Sequence, residues 1–168
     1  MRSWEIEPGI LKEPIIDIGA GKGPLNFPGI VCWDKEQGDA TYMEGVEDRS
    51  YQTVYSHHCL EHLDDPITGL KNWWRILRWG GYLIITVPHR DLYEKRKKLP
   101  SIFNPDHKTM WLLDRSDPPN TFSLLDTVKS ACPDACLITL RLCRDGYVQH
   151  PQHIQSPDGF HAEGIWFK

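Results

Sequence analysis

A short apolar run, Ile15-Ile16-Asp17-Ile18, opens directly into Gly19-Ala20-Gly21-Lys22-Gly23. This junction constrains the chain more than any other segment. A short apolar run bounded by turn residues reads as a buried strand. Glycines at alternate positions let the backbone take left-handed angles and let a ligand come close to the main chain. A parallel sheet binds nucleotide-like ligands at the carboxyl ends of its strands in this way. The spacing limits which ligand. A dinucleotide fingerprint places glycines at the first, third and sixth positions. Counted from Gly19, the third glycine falls at the fifth position and Pro24 occupies the sixth.

Three further blocks follow in order. Val31-Cys32-Trp33-Asp34 is a second apolar run ending in an acid. Asp34 reads either as a ligand-binding carboxylate or as a turn residue before Lys35. Gly38-Asp39-Ala40 is compatible with ordinary turn chemistry. Tyr51-Gln52-Thr53-Val54-Tyr55-Ser56 alternates as a strand and runs into His57-His58-Cys59-Leu60-Glu61-His62-Leu63-Asp64-Asp65-Pro66. Helical spacing then places Ile67, Leu70, Trp74 and Leu77 on one face. Gly80-Gly81 ends that helix and turns the chain, and residues 82–88 read as another buried strand.

Taken together these blocks resemble the class I S-adenosylmethionine-dependent methyltransferases, in particular the small family often called type 11. The acid followed by Gly-x-Gly-x-Gly is similar to the first motif of the class. Residues 56–66 are similar to the family's Ser-x-x-x-Leu-Glu-His-Leu-x-Asp-Pro signature, and Arg78-Trp79-Gly80-Gly81 stands where the family has Lys-Pro-Gly-Gly. The resemblance covers about residues 14–115. It implies S-adenosylmethionine as cofactor, held by Asp17, Gly19, Ala20, Gly21, Asp34, Lys35, Asp39, Ala40, Ser56 and His57. In that family the acid at the end of the second strand accepts hydrogen bonds from both ribose hydroxyls, which suits Asp34 because an ionised carboxylate is acceptor-only. Asp39 is then implied to lie near the adenine amine. The resemblance also implies an α/β, Rossmann-like fold with a mainly parallel sheet and an antiparallel last strand. In its numbering, residues 51–56 form the fourth strand and 82–88 the fifth.

The pattern departs from the family in places. Only residues 24–30 separate the glycine turn from the second strand, and they hold two prolines and a glycine. Such a segment cannot be a regular helix, so the first crossover helix is expected to be shortened or missing. Gln52 stands where the family usually has an aspartate. The segment before the first strand is short, so the N-terminal lid of longer relatives is not expected.

Composition narrows the function classes. A chain of 168 residues is sized for one domain spanning 1–168. A net charge of −4 argues against a general nucleic-acid partner on electrostatic grounds. No run approaches the roughly 20 apolar residues that span a bilayer, and no secretory signal is visible. The five cysteines form no disulfide framework, which fits a reducing cytoplasm. Neither Cys132/Cys136 nor His150/His153 has a second ligand pair, so no metal site is expected. Lys95-Arg96-Lys97-Lys98 reads as a solvated helix face near Asp91 and Glu94, or as a landing site for a phosphate-bearing acceptor or acidic carrier.

For the reaction, histidine titrates in the range useful for taking a proton from a hydroxyl acceptor. His58 and His89 follow the ends of the two central strands, and His107 lies in a later loop that starts from such an end. These three are the candidate bases. His107 reads equally as a loop-fixing residue, while Glu61 and His62 read as a packed structural pair. Met110-Trp111-Leu112-Leu113 is expected as a short helix closing the pocket, and residues 121–131 as a helix capped by Thr121. Residues 135–142 and 162–168 read as a closing antiparallel hairpin, joined by a long loop over 143–161. The expected function is methyl transfer to a small-molecule or carrier-linked acceptor. The alternative is a non-catalytic cofactor-binding module serving a partner.

Overall fold

The computed structural model describes residues 9–143 and 161–168. Four strands are laid down first. They are β1 (Ile15–Ile18), β2 (Val31–Trp33), β3 (Tyr51–His57) and β4 (Leu77–Pro88), with helix α1 (Pro66–Ile76) between the last two. After them come β5 (Met110–Leu112), β6 (Thr121–Ser123), α2 (Leu124–Ala131), β7 (Cys136–Cys143) and β8 (His161–Phe167).

Six strands form one sheet in the order β2-β1-β3-β4-β8-β7. The β1–β2, β1–β3 and β3–β4 pairs are parallel. Strand β8 runs antiparallel to both β4 and β7. This is the mainly parallel sheet with a reversed last strand that the sequence suggested. Among the described residues no strand forms between Trp33 and Tyr51, so the expected fourth and fifth strands are β3 and β4 here. No helix forms between Gly19 and Val31 either. The prolines and glycines of that stretch leave it in turns, as their chemistry requires.

Among the described residues the sheet is packed unequally on its two faces. One face carries Ile16, Ile18, Val54, Leu83, Ile85 and Val87 against Leu70, Trp73 and Trp74 of α1 and Leu124 and Val128 of α2. The opposite face has a much smaller cluster of Tyr55, Ile84 and Ile165, covered by Ile10, Leu11, Leu25 and Tyr82. The missing first crossover helix accounts for this thinner layer. Asp65 starts α1 by accepting hydrogen bonds from Thr68 N at 3.0 Å and Thr68 Oγ1 at 2.6 Å, with Pro66 in the first turn. The α1 helix ends at Ile76, before the glycines, and its C-cap Leu77 is already extended. Gly80, at φ +75°, sits inside the extended segment rather than closing the helix.

Two expected helices form differently. Met110–Leu112 is a strand, not a pocket-closing helix, and pairs in parallel with Thr121–Ser123. An all-apolar run carries no periodicity to separate the two structures. Here Trp111 is fully buried and packs against Phe122 with ring centroids 5.5 Å apart. Thr121 therefore lies in a ladder and does not cap. Ser123 caps α2 instead, its hydroxyl accepting from Asp126 N at 3.0 Å. The basic run also departs from the helix reading. A single π-helical turn, Arg90–Glu94, stops at Lys95, which is left-handed at φ +52°, and the chain bends onward.

Candidate active site

The chain passes from β1 to β2 on one side and then crosses to β3 on the other. The strand order thus reverses between β1 and β3, where open α/β sheets bind their ligands. A cavity of about 570 Å³ lies there, within the range of small-molecule pockets. Gly19, Gly21, Asp34, Lys35, Asp39 and Ala40 all line it. Gly38, His58, Cys59, His62, Leu63 and Asp106 complete the wall.

Local chemistry explains how these groups are held. Gly19 is left-handed at φ +76°, and a Cβ there would stand 2.5 Å from Cys59 Cβ. Only glycine lets the turn lie against the segment that follows β3. The amide of Gly19 donates to Trp33 O at 2.8 Å, tying the turn to β2. Asp34 then accepts from Gly21 N at 3.0 Å and from Lys35 N at 2.8 Å, one bond on each carboxylate oxygen. Each oxygen keeps a further lone pair for a ligand. Asp39 accepts from Thr41 N at 2.7 Å, an Asx-type turn that fixes the adjoining segment. Trp73 of α1 donates its indole N–H to Ala40 O at 2.8 Å, so the helix core positions this wall directly.

Several residues expected at the cofactor stand behind the wall. Asp17 is fully buried and accepts from Leu25 N at 2.8 Å, shaping the glycine turn from beneath. Ser56 is fully buried and donates to Ile18 O at 3.1 Å, joining β3 to β1. Ala20 is buried, and His57 is half-buried and stacked on His58 at 4.4 Å. None of these four lines the cavity.

Of the three candidate bases, only His58 lines it. His58 is left-handed at φ +57°, an uncommon conformation for a non-glycine residue that concentrates at functional sites. His89 is buried beside β5, bridging to Trp111. His107 is buried too, its Nδ1 2.5 Å from Glu94 Oε1.

Three groups at this end escaped the sequence reading. His62 lines the cavity rather than only packing. Glu61 is buried, and neither of its carboxylate oxygens has a hydrogen-bond partner. Burial pushes the Glu61 carboxyl up to about 8, with Glu94 adding to the rise. Glu94 is buried and holds both His107 and Ser101. The adjacent pairs Glu61-His62 and Asp106-His107 were the only sequence signal for this cluster.

Segment 26–85 matches the methyltransferase-domain family model of type 11. The match begins after the glycine turn and is narrower than the span of the resemblance. Solved structures extend the likeness to the whole fold. A methyltransferase from Listeria monocytogenes aligns with a TM-score of 0.59 at 12% identity, over 92% of this chain and 89% of that one. An S-adenosylmethionine-dependent methyltransferase from Thermotoga maritima aligns at 0.55 and 18% identity, over 94% and 84%. The fold is that of the class I S-adenosylmethionine-dependent methyltransferases. A chain of the complex between the Haloferax volcanii Trm112 methyltransferase activator and a methyltransferase aligns at 0.55 and 12% identity, over 91% and 81%. No curated protein matches the sequence. S-adenosylmethionine is the cofactor these likenesses support, and the cavity suits it. The resemblance implies a close main-chain approach and a carboxylate at the end of the second strand. Gly19, where no Cβ fits, and Asp34, with lone pairs to spare, meet both needs. No helix of the described residues is long and apolar enough to cross a membrane.

Two expected outcomes follow from this geometry. Asp34→Ala should weaken S-adenosylhomocysteine binding by about 1.5–3 kcal/mol, the range for hydrogen bonds to charged groups. Calorimetry on a variant with an unchanged melting curve checks it, and unchanged affinity returns Asp34 to the turn role. The thiols supply the second. Cys32 and Cys136 are exposed, while Cys59, Cys132 and Cys143 are buried and all five are free. Burial pushes the Cys59 and Cys132 thiols up to about 12, leaving negligible thiolate at neutral pH. A maleimide or disulfide reagent should therefore modify two thiols in the native protein and five after unfolding.

Proposed function

We propose that the chain is a methyltransferase acting on a small-molecule or carrier-linked acceptor. The observation that carries the proposal is the cavity at the strand-order reversal, where Gly19, Gly21, Asp34 and His58 converge. When bound, the cofactor supplies a methyl group activated on a sulfonium. The protein's own task is then mainly placement, since an in-line displacement gains most from correct positioning. In this reading Gly19 and Gly21 admit the ligand to the backbone, Asp34 holds its ribose, and Asp39 and Ala40 flank the adenine. His58 takes the proton from a hydroxyl acceptor, and the buried His89 and His107 support the wall instead. The basic run at 95–98, with its three lysines exposed and Arg96 half-buried, suits a phosphate-bearing or acidic carrier, and a cytoplasmic setting fits the free thiols.

The alternative is a cofactor-binding module that depends on a partner chain. The sheet face that the described residues cover thinly, without a first crossover helix, favours it, and one fold neighbour is found with an activator. Transfer of labelled methyl into pools of hydroxyl-, amine- and carboxylate-bearing metabolites separates the two. The enzyme reading expects product from the isolated chain with at least one pool. Cofactor binding without transfer to any pool favours the module.

A further inference from the structure

The strongest unassigned feature is the cluster behind His58. Around Glu61 Oε1 stand His58 Nδ1 at 3.8 Å, His62 Nε2 at 3.9 Å and His107 Nε2 at 3.9 Å. One ligand atom from each of Glu61, His62 and His107 lies within 4.8 Å of the others. Ligand atoms on a tetrahedral ion with bonds of about 2.0–2.2 Å lie roughly 3.3–3.6 Å apart. The Glu61 distances to His62 and His107 are too long for hydrogen bonds and wider than that spacing, so the three side chains would draw together around an ion.

Three further observations point inward. Both Glu61 oxygens are buried and accept no hydrogen bond, so the ionised group has no polar partner there and needs either a proton or a cation to meet it. His107 is oriented from behind, with Nδ1 against Glu94 Oε1 at 2.5 Å, and Glu94 is itself held by Ser101 Oγ. A carboxylate behind a histidine fixes its tautomer and turns the other nitrogen's lone pair to the front, as it does for metal ligands. The backbone carbonyl of Glu61 also accepts from Lys108 N at 2.8 Å and Thr109 N at 3.2 Å. These bonds lock the loop carrying His107 to the turn carrying Glu61 and His62.

We propose that Glu61, His62 and His107 bind one divalent transition-metal ion of the zinc class, with Glu94 as a positioning residue. Two imidazoles and one carboxylate suit such ions better than magnesium or calcium, which prefer all-oxygen sites. Three protein ligands leave a position open. His62, which lines the cavity together with His58 and Asp106, puts that position on the cavity side. The ion is placed to take an oxygen of the methyl acceptor, hydroxyl or carboxylate, a role that rests on the methyltransferase reading. The ion site itself does not depend on it.

The test uses the whole chain, stripped with a chelator and titrated with zinc alone. Cobalt serves as a second probe, because its visible absorption reports imidazole and carboxylate ligation. Binding of one ion per chain is expected. His62→Ala removes a half-exposed ligand, should fold normally, and should abolish stoichiometric binding. Glu94→Gln should weaken it by about 10–100-fold, the usual effect of losing an outer-shell partner, with the cobalt spectrum shifted. Failure of the folded wild type to bind an ion overturns the proposal, as does undiminished binding by His62→Ala. S-adenosylhomocysteine titrated into the same stripped sample separates the two ideas. Cofactor binding without zinc binding removes only the metal site, whereas zinc binding without cofactor binding removes only the methyltransferase reading.

Discussion

Gly19→Ala is expected to abolish tight cofactor binding. The new methyl would stand 2.5 Å from Cys59 Cβ and 2.8 Å from Cys59 Sγ, on a backbone held at φ +76°. A left-handed angle costs a non-glycine residue about 1–2 kcal/mol, and overpacking typically costs about 1–3 kcal/mol more. The neighbouring atoms cannot step aside cheaply, because Cys59 is buried and leads directly into the turn Leu60–His62. The summed penalty, about 2–5 kcal/mol, corresponds to roughly a 30- to 5,000-fold loss of affinity if it falls wholly on the bound state. If it falls on the fold, it appears as a lower melting temperature, so both quantities are measured. Cys59→Gly in the same chain removes the clash but not the strain. Partial recovery is therefore expected, and wild-type melting and affinity in Gly19→Ala alone would contradict the close approach.

His58→Gln carries the second large effect. His58 stands at the cavity wall in a left-handed conformation, its amide donating to Thr86 O at 2.9 Å. Its ring is stacked on His57 and meets Tyr93 edge-on at 6.1 Å. These contacts fix the imidazole at the cavity wall, the place the proposed function gives to a base. Loss of a general base typically costs about 10²–10⁴ in turnover. Glutamine keeps the size and polarity, so S-adenosylhomocysteine affinity should stay close to wild type. A fall in kcat with unchanged cofactor binding supports the base. Unchanged kcat in an active preparation would instead indicate an acceptor that needs no proton removed, an amine or a carboxylate.

How far the sequence reached depended on whether the determining contacts were local. The glycine turn after Ile18 and the helical spacing that starts at Ile67 each declare themselves within a few residues, and each forms where it was read. The 110–123 region did not, because Met110-Trp111-Leu112-Leu113 is apolar throughout and its strand pairing is with Thr121–Ser123. The same limit applied at the site. Gly21 and Asp34 are linked by a hydrogen bond across 13 residues, yet both belong to a familiar spacing. The Glu94–His107 contact spans the same number of residues with no such spacing. It exists because the π-helical turn after β4 folds back under the loop carrying His107. Asp17 and Ser56 show the converse case. Their residue types suit a ligand, but their hydrogen bonds go to Leu25 and Ile18, and the fold uses them to shape the wall.

The central claim is that the cavity between β1 and β3 is a sulfonium-cofactor site and not a dinucleotide site. Isothermal titration of the full chain with S-adenosylmethionine, S-adenosylhomocysteine and NAD tests it most directly. The account predicts saturable one-to-one binding of both sulfur cofactors, lost in Gly19→Ala and weakened in Asp34→Ala, with no heat from NAD. A folded sample that binds NAD, or binds neither sulfur cofactor, would contradict it.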